Sequence, residues 1–126
     1  MKCTCGKDIA THPAEPCLDA MFAEKVVEYR EYNGMWLDKN GKTQFSVFIF
    51  SPCSKIAHAM EGVQKWKDDP TPPEKLAEAL FQSLDPPIFI NIENRKWQYL
   101  VEDILYRIDA LSLTRALIMW AMGKGE

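Results

Sequence analysis

Three of the chain's four cysteines fall within its first seventeen residues, as Cys3-Thr4-Cys5-Gly6 and Cys17, with His12 between them. Thiolate sulfur and neutral imidazole are the donors Zn²⁺ prefers, and the surrounding segment is too polar and Pro-rich for the cysteines to be explained as core. Three thiolates and one imidazole, from Cys3, Cys5, Cys17 and His12, would complete a tetrahedral coordination sphere. A closed set of this kind leaves no position for a substrate. Its expected role is therefore structural, pinning an N-terminal arm of residues 1–17 to the first helix. The stronger reading from sequence keeps the thiols free, because Cys-x-Cys is a less usual zinc spacing than Cys-x-x-Cys and Cys17 also suits a small buried hydrophobe at a helix start.

The remaining chemistry-bearing groups are more dispersed. Ser54, His58 and Glu61 can share one helical face as nucleophile, base and orienter. No strained elbow sequence surrounds Ser54, which favours a satisfied surface histidine. Cys53, in the first turn of the same helix, is either a thiol activated by the helix dipole or a buried spectator, and the second reading is the stronger. Glu102, Asp103 and Asp109 are read as solvent-facing carboxylates. Arg95, Lys96 and Trp97, with Arg107 and Arg115, form the candidate ligand-binding set, cations and an aromatic ring of the kind that hold a phosphate or a nucleobase. The plainer alternative is a basic hairpin tip and two surface arginines.

A chain of 126 residues accommodates one core, and its 47% apolar and 26% charged composition is that of an ordinary globular domain. The net charge of −3 argues against a general phosphate-tracking surface, so no general nucleic-acid binding is expected. No apolar run approaches the roughly 20 residues needed to cross a bilayer. These features predict an intracellular, cytoplasmic protein without a membrane partner, whose cysteines are reduced or metal-bound.

Hydrophobic periodicity supplies the elements. Leu18, Met21, Phe22, Val26 and Tyr29 form an amphipathic stripe over 18–31, a first helix ended by Asn33-Gly34. A strand over 35–37, turn residues Asp38-Lys39-Asn40-Gly41 and a strand over 45–50 form a hairpin. Ser51-Pro52 opens a second helix whose buried face is Ile56, Ala59, Met60, Val63 and Trp66. A third helix at 72–84 starts with Thr71 and Glu74 as a capping box and buries Leu76, Ala77, Leu80, Phe81 and Leu84. Segments 88–92 and 97–101 read as a second hairpin. Residues 102–109 fit either strand or helix and are read as strand, and a last helix over 113–122 is capped by Ser112. Tight turns join antiparallel strands, so the fold class is α+β: one mainly antiparallel sheet of four strands, five if 104–108 is extended, flanked by helices in an α/β/α sandwich-like body over 18–126.

Three stretches of the chain resemble the phage ABA sandwich domain family, small proteins of phages and prophages with helix, sheet, helix layering. They are Leu18-Asp19-Ala20-Met21-Phe22-Ala23-Glu24-Lys25-Val26-Val27, then Ser51-Pro52 and Ser54-Lys55-Ile56-Ala57-His58-Ala59-Met60-Glu61 on to Trp66, and Ser112-Leu113-Thr114-Arg115-Ala116-Leu117. The third helix and the cysteine-bearing arm depart from the family pattern. The resemblance implies a phage origin and an accessory role, and it supplies no catalytic residues. The expected function is accordingly a phage or prophage accessory protein, a host-takeover or anti-defence factor that binds a bacterial host protein. The alternative is a protein that sequesters a small nucleotide signal. A small hydrolase ranks last.

Overall fold

In the computed structural model the described residues are 1–70, 73–83, 104–105 and 107–123, with the side chains of 73, 74 and 81–83 excepted. They form an α+β body: helices packed around one central helix, with a three-stranded antiparallel sheet at one side. Helix α1 (Pro16–Met21) starts on a proline, whose missing donor is harmless in a first turn. It continues as a wider π-type turn over Phe22–Val26. Glu28, at φ 58°, then ends the coil in the left-handed region, and the Tyr29 amide reaches back to the Ala23 carbonyl at 2.7 Å. The expected stripe of Leu18, Met21, Phe22, Val26 and Tyr29 is buried throughout.

The helix is thus shorter than its periodicity suggests, and Asn33-Gly34 does a different job from helix termination. Both residues have positive φ, 51° and 76°, the pair of values a two-residue type I′ hairpin turn requires. They join β1 (Arg30–Tyr32) to β2 (Met35–Leu37), pairing Glu31 with Trp36. Strand β3 (Thr43–Ser46) returns alongside β2, with Phe45 opposite Trp36. Residues 47–50, expected to continue that strand, instead turn, with the Ile49 and Phe50 amides both bonded to the Ser46 carbonyl. The turn drops the Phe50 ring into the interior, 4.8 Å from Phe45, 5.8 Å from Tyr29 and 6.1 Å from Phe22. Burying this ring between sheet and helix gains more than one further ladder pair would.

Helix α2 (Ile56–Lys67) begins later than Ser51-Pro52 implies: the Ser51 carbonyl accepts from the Ser54 and Lys55 amides in a preceding turn, while the amide and hydroxyl of Ser51 are committed elsewhere. Its amide donates to Nδ1 of His58 at 2.9 Å and its hydroxyl to Asp19. Ala59, Val63 and Trp66 are buried as expected, but Ile56 and Met60 are exposed, so the apolar stripe is rotated toward Gly62. There the backbone approaches so closely that a Cβ would lie 2.7 Å from the Phe22 ring and 2.8 Å from both Leu117 and Val26. Helix α3 (Pro73–Ser83) buries Leu76, Ala77 and Leu80. Helix α4 (Ala110–Gly123) is apolar on almost every side, which is the pattern of a helix surrounded by others. It packs on α1 and its π-type turn, on α2, on α3 and on the N-terminal arm.

The α4 start corrects two expectations. Asp109 caps it in place of Ser112, its carboxylate accepting from the Ser112 amide at 3.0 Å. Just before it, the described residues of the 104–108 segment are helical rather than extended, with the Ile108 amide on the Ile104 carbonyl at 2.9 Å. The helical spacing of Ile104, Leu105 and Ile108 prevails over the alternation of Ile104 and Ile108. The expected strands at 88–92 and 97–101, and with them the four-stranded sheet, lie outside the described residues.

Candidate metal centre

The arm folds from the backbone up. Cys3 and Gly6 close a tight turn, Gly6 amide to Cys3 carbonyl at 2.9 Å, and the Cys3 amide returns to the Lys7 carbonyl at the same distance. Gly6 has φ 91°, a value available to almost no other residue, so Gly6 lets Cys3 and Cys5 turn toward one centre. Asp8 caps a 3₁₀ turn at Ile9–Thr11, its side chain accepting from the Ala10 amide. Ile9 and His12 are fully buried, and the turn rests on α3 and α4. The segment that reads as too polar for a core is thus tied to one through Ile9.

This path brings the four expected ligands together. One ligand atom from each of Cys3, Cys5, His12 and Cys17 lies within 4.8 Å of every other, an arrangement that could hold a metal ion. Nε2 of His12 is 3.2 Å from Cys5 Sγ and 3.5 Å from Cys17 Sγ. Bond lengths of about 2.3 Å to sulfur and 2.0 Å to nitrogen give a tetrahedral sulfur–nitrogen edge of about 3.5 Å, close to both of these separations.

The surroundings favour the ligating forms of His12 and Cys5 and oppose that of Cys17. Nδ1 of His12 lies 2.7 Å from the Pro13 carbonyl, an oxygen that only accepts, so Nδ1 carries the proton and Nε2 keeps its lone pair toward the sulfurs. The Lys7 amide is the chief influence on the exposed Cys5 thiol; burial opposes it, His12 and the other sulfurs assist it, and the pKa falls to about 7. Burial pushes Cys17 the other way, up to about 12, helped by the Cys5 and Cys3 sulfurs. One thiolate forms readily and the next is resisted, an imbalance that a dication among the sulfurs removes. Lys7 and Glu15 form an ion pair beside the cluster, and Cys17 faces a Glu15 oxygen at 3.6 Å.

Arg115 belongs to this centre. From the second turn of α4 its Nε donates to the His12 carbonyl at 2.6 Å, bracing the histidine from the core side. The sequence pattern groups it with Arg107, Arg95, Lys96 and Trp97. Arg107 is exposed, and the other three lie outside the described residues.

The triad reading is not assembled. His58 accepts from the Ser51 amide at Nδ1 and packs against both the Phe45 and Phe50 rings, while Ser54 is exposed. Burial, seconded by Lys55, holds its pKa below the ordinary value. Cys53 is buried rather than activated: burial raises its pKa well above the usual thiol range, Asp19 adds to the rise, and its amide donates to that carboxylate at 2.9 Å. Asp109 is committed to capping, and Glu102 and Asp103 lie outside the described residues. No helix among the described residues is long and apolar enough to cross a membrane.

No family model, curated protein or solved structure matches this chain.

Proposed function

We propose that Cys3, Cys5, His12 and Cys17 hold one structural Zn²⁺, and that the chain is a binding module whose N-terminal arm the ion fixes to the helical core. The observation that carries this reading is the convergence of three sulfurs and a correctly protonated imidazole within 4.8 Å, from residues spread over fifteen positions. Three sulfurs and one nitrogen fill a tetrahedral sphere, so the ion would organise structure rather than activate water. Its position suits that role. Cys17 lies in the first turn of α1 and Cys3 and Cys5 in the terminal turn, so the ion would lock these separate segments together. Binding to a bacterial host protein, as a phage accessory factor, is the part of this reading supported by the family resemblance.

Elemental analysis of full-length protein, purified without chelator and supplied with zinc before gel filtration, tests the metal. About one zinc per chain is expected for the native sequence, and close to none for Cys3→Ser/Cys5→Ser. Cobalt in place of zinc should give the visible bands of a tetrahedral, thiolate-ligated ion. Metal-free native protein, or an octahedral cobalt spectrum, defeats the assignment.

A further inference from the structure

A cleft of about 440 Å³ lies between α1 with its π-type turn and the sheet. Asp19 and Glu24 line it from the helical side, Glu31 and Trp36 from the hairpin, and Phe48 and Phe50 from the turn after β3. Three carboxylates and three aromatic rings thus share one cleft, and none of its lining residues is basic. The contrast with the second cleft, about 200 Å³, is direct: there Glu28 and Asp38 are accompanied by Lys39 and Lys65. The larger cleft supplies no cation of its own.

Its aromatic side is equally unsatisfied. Phe48, which lines the cleft, is 92% exposed, so a large ring stands in water at its edge. Trp36 and Phe50 are packed into the core and form a fixed floor. Asp19 is held in place by the Cys53 amide and the Ser51 hydroxyl, and its oxygens keep further acceptor capacity. A planar cation with several N–H donors can stack on aromatic faces and donate to carboxylates at once, a combination guanidinium provides and ammonium does not.

We propose that this cleft takes the guanidinium group of an arginine in a basic segment of a partner protein, with Glu24 and Glu31 pairing its charge and Phe48 covering its face. The inference rests on the reading of the chain as a binding module and names the chemistry of its partner. The cleft also adjoins the arm, since Pro16 and Asp19 of its lining flank the candidate ligand Cys17 in α1.

The test uses full-length, zinc-supplied protein and a fluorescent hexa-arginine peptide, with hexa-lysine as comparator, read by anisotropy at low and physiological salt. Hexa-arginine should bind at least threefold more tightly than hexa-lysine. Glu24→Gln/Glu31→Gln should weaken it about three- to tenfold, and Phe48→Ser about two- to fivefold, as expected for partly exposed ion pairs and a cation–aromatic contact. Asp68→Asn/Glu78→Gln removes the same charge from exposed sites outside the cleft and should leave affinity unchanged. Equal weakening by the two double variants, equal affinity for the two peptides, or no binding at low salt overturns the proposal. Zinc content is measured on each preparation, so a cleft that fails in fully metallated protein fails on its own account.

Discussion

Replacing Gly62 with alanine sets two known effects of opposite sign against each other. Alanine in a helix interior is favoured over glycine by about 1 kcal/mol, partly through the unfolded chain. Against this, the new methyl would sit 2.7 Å from the Phe22 ring and 2.8 Å from methyl groups of Leu117 and Val26. Carbon atoms pack best at about 3.5–4.0 Å, so each contact intrudes by roughly 0.7 Å or more. Phe22 and Leu117 are fully buried and Val26 nearly so, and the three belong to two different elements that α2 must clear together. Overpacking one methyl into a close-packed core costs about 1–3 kcal/mol, and a site closed on three sides belongs at the upper end. The net expectation is a loss of about 2 kcal/mol. For 126 residues the unfolding entropy is ~0.26 kcal/mol/K, so Tm should fall by about 8 °C. Thermal unfolding followed by circular dichroism, at fixed zinc, measures this. The same substitution in a Val26→Ala background should cost less, because one of the three obstructing groups is gone. A Tm that stays level or rises in Gly62→Ala would show that helix propensity dominates and that α2 does not approach its neighbours as closely as argued.

Two further outcomes follow from the site and its surroundings. Arg115→Leu removes the 2.6 Å bond to the His12 carbonyl and should weaken zinc binding about tenfold, measured by competition with a chromogenic chelator, while leaving the stoichiometry at one; unchanged affinity would remove Arg115 from the support of the centre. Burial, seconded by Lys55, lowers the folded-state pKa of His58 despite the opposing carboxylates of Glu61 and Asp19, so its contribution is complete above the ordinary histidine pKa and is lost as pH falls through the depressed value. Protonation also ends the acceptance of the Ser51 amide at Nδ1. Urea unfolding across this range, on protein of matched zinc content, should therefore show a shallower acid loss for His58→Asn than for the native chain, and identical slopes would contradict the assignment.

Much of the metal centre is legible in the sequence because its donors are chemically unusual for their setting: soft ligands crowded into a polar arm. Their convergence is a separate matter. It depends on the Gly6 turn, on Ile9 anchoring the 3₁₀ turn and on Arg115 reaching His12 from 103 residues away. Local pattern carries no signal of that last contact, so Arg115 is grouped by charge with distant cations. The cleft is hidden for a related reason. Its hairpin wall becomes visible only when Asn33-Gly34 is read as a type I′ turn, which sets Glu31 opposite Trp36.

The sequence alone determines the order of amphipathic segments, the presence of a last apolar helix, and the ligand types of the arm. These follow from local periodicity and donor chemistry, which every residue carries with it. Tertiary structure decides where competing local preferences stop: α1 yields to a hairpin after Val27, residues 47–50 leave the strand so that Phe50 can be buried, and Ile104, Leu105 and Arg107 are helical. Each outcome is set by burial against residues far away in the chain, and that free energy exists only once the partners have met.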